Sequence, residues 1–415
     1  MTAYKWLVVI MVSSVLMLTF PLGIVADESS PVSEIFVPVD VSIQEAINNA
    51  AEGDTIIIQN GVHKEEQYPI FVNKSVTLLG ENVEQTIVDA NGTTVGIFLV
   101  SASNSRISGL TVQNTSQSAS GIHLAHVVNA EISNCTITRC PTGIQLTDST
   151  SGNITMNQIV SNLGPGIYMH TSSCYNKIIG NNITDNPTGV LVSDMNCQNN
   201  LFYYNNFVNN TFHQDDKGFN SWNGTYPVGG NYWSNYTSVD LMNGVDQDVA
   251  GSDGIADSAY RDLDWYPLVK PIYFYRMYSL NGQDYYAVIA TNSTVSSLRF
   301  DPGLGKFVNF SAVGDDGTTG CCRVAIPKGA LWVDDPKDWT IMLNETALTD
   351  GPFIVNDSEN TYFYFTYDHS TQAVRIIGTH AVPEFSLHVI LALLALLTGM
   401  FLLRKKTRRS LLASS

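Results

Sequence analysis

The 415-residue chain carries 38 Asp and Glu against 21 Lys and Arg, a formal net charge of −17, and only 14% of its residues are charged. A hydrophobic content of 44% and a mean hydropathy of +0.03 exclude a disordered or collagen-like chain. The length allows two or three domains, and the lack of a basic footprint excludes a nucleic-acid binder.

The chain opens with Lys5, an apolar run from Trp6 to Leu22, and Ile24-Val25-Ala26 ahead of Asp27-Glu28. That order predicts a secretory signal over 1–26, with an uncleaved anchor helix as the alternative. Ser42, with Glu45 three residues on, predicts an N-capped short helix running to Ala51. Apolar segments at Thr55–Ile58 and Val76–Leu79 then read as strands.

A repeat follows. Gly96, Gly121, Gly143, Gly166 and Gly189 each open a short apolar run, at spacings of 25, 22, 23 and 23 residues. Downstream, the pairs Ile107/Val112, Ile132/Ile137, Ile154/Ile159, Ile178/Ile183 and Phe202/Phe207 recur, each five apart. A period near 23 with short β-rich runs predicts a solenoid whose coils stack strand on strand. Asn157, Asn181 and Asn205 share one coil position, and Asn162, Asn186 and Asn210 another. Stacking places such residues about 4.8 Å apart, close enough for carboxamide ladders at turns that also tolerate left-handed geometry. These ladders and the short capping helix resemble right-handed parallel β-helices of the pectate-lyase-like superfamily, over residues 38–270.

Cys174 and Cys197 both fall eight residues after their coil's Gly, which predicts a stacked pair and a disulfide in an exported protein. Cys135 and Cys140 replace Asn in the two ladders, Cys321-Cys322 have no assigned partner, and none of the six has zinc-site spacing.

Five residues after each Gly stand Ser101, His126, Asp148, Thr171 and Asp194, with His170 beside Thr171. His126, Asp148, His170 and Asp194 thus form the candidate catalytic face, able in type to bind a transition metal or act as acid and base. The bland alternative is a polar rim where strand becomes turn. The resemblance implies a ligand groove along one sheet, where lyases use calcium with an Arg or Lys base and hydrolases use paired carboxylates. Only Arg106, Arg139 and Lys177 are cationic in the coils, which disfavours a polyuronate substrate, and the paired-Asp and Arg-Ile-Lys motifs of polygalacturonases are absent. Catalysis is left open.

Residues 219–236, FNSWNGTYPVGGNYWSNY, are aromatic and Gly-rich, and an acidic stretch ending DWYPLV follows. This GGNYWSNY element, D-rich loop and YPL close resemble NosD-type archaeal β-helix proteins, a resemblance that implies copper handling, though no Met-rich or His-rich tract accompanies it. The aromatics read either as a plug over the last coil or as a sugar-stacking platform. Asp246, Asp248, Asp253 and Asp257 are the candidate calcium ligands; Ala250 and the terminal Asp depart from the helix-loop-helix pattern, so a solvated acidic turn is the alternative.

Residues 272–380 lose the repeat, and about seven short alternating runs predict an antiparallel β-sandwich serving as spacer or adhesion module. Pro383-Glu384-Phe385, an apolar span over 386–403 and a basic tail over 404–415 resemble the archaeal C-terminal sorting signal processed by archaeosortases; a plain membrane anchor is the alternative. Thirteen Asn-x-Ser/Thr sequons between Asn73 and Asn356 predict some glycan occupancy, checked by intact mass. The all-β chain therefore reads as a cell-surface protein held by a single-pass helix or its lipid replacement. Its expected role is binding extracellular or cell-wall glycans, or a structural one. The alternatives are a polysaccharide lyase or hydrolase and a copper-handling accessory.

Overall fold

The computed structural model describes residues 33–382, apart from 94, 281, 282, 304, 349 and 350. The signal segment 1–26, Pro383-Glu384-Phe385, the span 386–403 and the tail 404–415 lie outside the described residues. Among the described residues no helix is long and apolar enough to cross a membrane.

From Glu34–Val37 to Tyr232–Trp233 the chain winds into three parallel sheets of nine, seven and eight strands, each strand pairing with its equivalents one coil away. The register follows the repeat: Ile132, Ile154 and Ile178 are consecutive partners in one sheet, and Ile137, Ile159 and Ile183 in another. Because successive strand residues face opposite sides, these isoleucines point inward and are fully buried, as are Ile122, Ile144 and Ile167.

Helix Ile43–Asn49 closes the first coil, burying Ile43 and Ile47. Ser42 Oγ accepts from the Glu45 N–H as expected, but the reciprocal carboxylate is Glu65, which accepts from Ser42 Oγ at 2.6 Å and from the Ile43 N–H at 2.7 Å. A neighbouring coil, rather than the helix itself, completes this cap.

Both predicted ladders form. Asn181 Oδ1 accepts from the Asn157 backbone N–H and Nδ2, each at 3.0 Å, and Asn205 does the same for Asn181. Asn162, Asn186 and Asn210 repeat the arrangement. A third ladder of Asn176, Asn200 and Asn220 completes the set. In the two predicted ladders the left-handed backbone belongs to the residue before each Asn, with φ of 56° at Met156, 53° at Ser161 and 55° at Asp185. Asn is therefore selected here for its carboxamide, not its tolerance of positive φ. Cys135 and Cys140 head two ladders, each donating its backbone N–H to the next Asn.

All six cysteines are free. The third ladder steps by 24 residues from Asn176 to Asn200, whereas the Gly166–Gly189 step is 23. That extra residue brings Gln198, not Cys197, alongside Cys174: the Gln198 N–H donates to Cys174 Sγ at 3.3 Å, while Cys197 sits in the apolar core. Equal offsets from glycine thus do not stack these two thiols.

The aromatic segment is a plug. Trp222 stacks on Phe202 at 4.1 Å and Trp233 on Phe207 at 4.4 Å, both within 8° of parallel, and Tyr260 stacks on Trp233 at 4.2 Å. Both indoles are buried, with Trp222 Nε1 donating to Asp216 and Trp233 Nε1 to Asp264. They continue the inward column of the coils and cover its last apolar layer.

From Ile272 onward two five-stranded antiparallel sheets line one apolar core that includes Ile289, Phe310, Val324, Phe363 and Val374. Short pieces at Leu331–Trp332 and His380–Ala381 pair at one side, so the strands outnumber the seven expected.

Candidate functional site

Strands Ser120–Ala125, Thr142–Thr147, Pro165–His170 and Thr188–Val192 lie side by side in the seven-stranded sheet. Alternation turns Ile122, Leu124, Ile144, Leu146, Ile167 and Met169 inward. It leaves His123, Gln145 and Tyr168 as one outward row in register, with Thr147 and His170 paired beside them.

These side chains are tied together. Thr147 Oγ1 lies 2.8 Å from His123 Nε2 and 3.0 Å from His170 Nε2. Gln145 Oε1 accepts from Ser120 Oγ, which leaves its amide to donate to His170 Nε2 at 3.0 Å and places the His170 proton on Nδ1, toward Thr171 Oγ1 at 2.8 Å. Tyr168 stacks on His170 at 4.7 Å, and its hydroxyl accepts from Ser193 Oγ. Burial holds the His123 imidazole below its usual pKa, helped by the neighbouring His170 and His126; burial likewise lowers His170, against the pull of Asp194. Both rings are neutral at neutral pH.

Of the four sequence-predicted residues, the structure joins His126 to Asp148 at 3.0 Å in an exposed pair and puts His170 in the Thr147 network. Asp194 caps its own turn by accepting from the Asn196 N–H and also accepts from the Ser172 N–H on the neighbouring coil. Those hydrogen bonds, the Asn196 N–H first, hold its carboxyl below the ordinary range, so Asp194 is ionised and is no proton donor. His126, Asp148 and Thr171 have φ of 58°, 46° and 52°, which marks the column as the strand-to-turn junction. His123, Gln145, Thr147 and Tyr168 were missed by the sequence reading; the period-two pattern inside GIHLA, GIQLT and GIYMH is the signal that exposes them.

The acidic stretch works differently. Asp253 Oδ1 accepts from the Ile255 N–H, Asp257 from those of Leu241 and Met242, and Asp240 from those of Asp253 and Gly254. Of the four carboxylates named as calcium ligands, Asp253 and Asp257 thus spend oxygens on backbone N–H groups, while Asp246 and Asp248 stay exposed. Among the described residues no cluster of three or more His, Cys, Asp or Glu is placed to hold a metal ion.

Residues 32–238 match the family described as periplasmic copper-binding protein (NosD). The solenoid is of the NosD type. That description attaches copper and a periplasmic location to the family; in this solenoid His123 and His170 meet through Thr147, and among the described residues no third His, Cys, Asp or Glu completes a metal-holding group with them. No curated protein matches the chain. Among solved structures, pectin methylesterase from Yersinia enterocolitica overlaps at 15% identity and a TM-score of 0.33, covering 46% of this chain and 77% of that one. The enzyme from carrot overlaps at 13% and 0.33, covering 48% and 70%, and a PL6 family alginate lyase at 11% and 0.29, covering 50% and 39%. Overlaps this loose carry no chemistry to the NosD-type chain.

Proposed function

We infer that this protein is exported, held at the cell surface, and recognises an uncharged stretch of glycan on the outward face of its seven-stranded sheet. The observation that carries this reading is the linked set His123–Thr147–His170, with Gln145 and Tyr168 in the same rows. Mutual hydrogen bonds and stacking fix these rotamers before any ligand arrives, so little side-chain entropy remains to be lost on binding. Tyr168 supplies an aromatic surface, and the amide, hydroxyls and neutral imidazoles supply donors and acceptors. The acidic chain repels polyanionic glycans. Binding of the full chain, in detergent, to an array of uncharged glycans tests the reading. Signal that falls in Tyr168→Ala and His170→Ala supports it; signal indifferent to both sinks it, and release of shortened sugar moves the polysaccharide-active alternative to first place.

A second reading, copper handling, draws on the family's description and on His123 and His170. Copper taken up by the full chain at one per molecule and lost in the His123→Ala/His170→Ala double variant is its expected signature.

A further inference from the structure

The second domain holds a cavity of about 570 Å³ away from the solenoid face, between Trp332 and Trp339, with Lys328, Asp334 and Thr361 also at its wall. That volume lies within the roughly 300–1,000 Å³ range of small-molecule sites. Trp332 sits on the short strand Leu331–Trp332, which pairs with His380–Ala381. The His380 ring stacks on it at 5.4 Å and 14°, fixing the indole plane. Trp339 is 8% exposed and wedges edge-on against Phe363 at 4.8 Å.

Two polar groups stand at this wall, the Thr361 hydroxyl and the Trp339 indole N–H. Their residues are only 3% and 8% exposed, yet neither atom is among the buried side-chain groups left without a partner, so both are met by solvent from the cavity and are open to a ligand that replaces it. The solenoid's indoles behave otherwise, since Trp222 and Trp233 both donate to carboxylates. The charges at the rim are balanced or already engaged. Lys328 Nζ donates to Asn356 Oδ1 at 3.1 Å and to the Asp357 carbonyl, and Asp334 is opposed by His380 at 3.8 Å.

We propose that this cavity is a second carbohydrate site, taking an uncharged pyranose whose apolar face packs on Trp332 while its hydroxyls meet the Trp339 N–H and the Thr361 hydroxyl. A pyranose suits the wall because each sugar hydroxyl both donates and accepts, and its C–H face matches an aromatic plane. A carboxylated or sulfated ligand does not suit it, because Asp334 repels an anion and the Lys328 ammonium is engaged. The site is separate from the sheet face inferred above, so the two stand or fall independently.

The test is calorimetric titration of the full chain in detergent with hexamers of β-linked glucose, mannose and N-acetylglucosamine. At least one is expected to bind, and Trp332→Ala should weaken it at least tenfold. Thr361→Val, which keeps shape and removes the hydroxyl, should do the same in part with an unchanged melting temperature, and Tyr168→Ala should leave this binding intact. The proposal is overturned if none of the three hexamers binds, or if binding survives both Trp332→Ala and Thr361→Val. It is overturned equally if binding disappears with Tyr168→Ala alone, which assigns the sugar to the solenoid.

Discussion

Two columns run along the same solenoid with the same period and opposite fates. Asn157, Asn181, Asn205 and Asn231 stack at one corner, all fully buried, each carboxamide accepting from one coil and donating to another. His126, Asp148, Thr171 and Asp194 line another corner, where the side chains of His126 and Asp148 are 69% and 51% exposed and pair with each other in solvent. The difference is set by burial. A buried turn leaves backbone N–H and C=O groups that water cannot reach, so every coil needs the same amide there. An exposed turn makes no such demand, and its residues are free to differ.

The largest expected effect breaks the buried column. Asn181→Ala orphans the Asn157 backbone N–H and removes one of the two acceptors of its amide as well as the side-chain donor to the Ile154 carbonyl, at about 1–3 kcal/mol for each buried group left unpaired. Urea unfolding should show the solenoid transition moved by several kcal/mol or the protein failing to fold; a change under 1 kcal/mol refutes the ladder's role.

Acidity should then separate the last coil from the plug that covers it. Burial lowers His213 to about 4, so its folded pKa lies below the unfolded value of 6.5, and folding stability is lost as pH falls through that interval. Burial raises Asp264 to about 7 from 3.8 despite its N–H donors, so the folded state holds the proton longer and stability is lost as pH rises from 4 to 7. Relative to wild type, His213→Gln should gain stability at pH 5 over pH 7 in thermal melting, and Asp264→Asn should gain at pH 7 over pH 5. Parallel pH curves for both variants count against these shifts.

On the outward sheet face the effect should be on binding and not on folding. Tyr168→Ala is expected to weaken glycan binding about tenfold, equivalent to about 1.4 kcal/mol, with the melting temperature held. The exposed column sharpens the contrast with the smallest change: His126→Ala removes one surface pair and should cost under about 1 kcal/mol by chemical unfolding. A larger loss means that this column is structural after all.

Much of this was legible in residue order. Inward isoleucines and two asparagine ladders follow from a repeat near 23, because stacking converts sequence period directly into contact. The third ladder was hidden because its second step, Asn200 to Asn220, is only 20 residues and breaks the repeat, and a one-residue slip against the glycine frame separates Cys174 from Cys197. The reciprocal cap at Ser42 was hidden for a related reason: Glu65 arrives from another coil, 23 positions away.

By itself, then, the sequence determined the coil, its inward faces and the segments with membrane-like patterning, since period and alternation are local properties of the chain. Tertiary structure decided which polar residues meet. Thr147 reaches His123 and His170 only when three coils align, Trp222 and Trp233 become a plug only against Phe202 and Phe207, and Asp253 and Asp257 accept from backbone N–H groups. Side-chain convergence depends on how coils register across more than 20 residues, and no single window of sequence contains that distance.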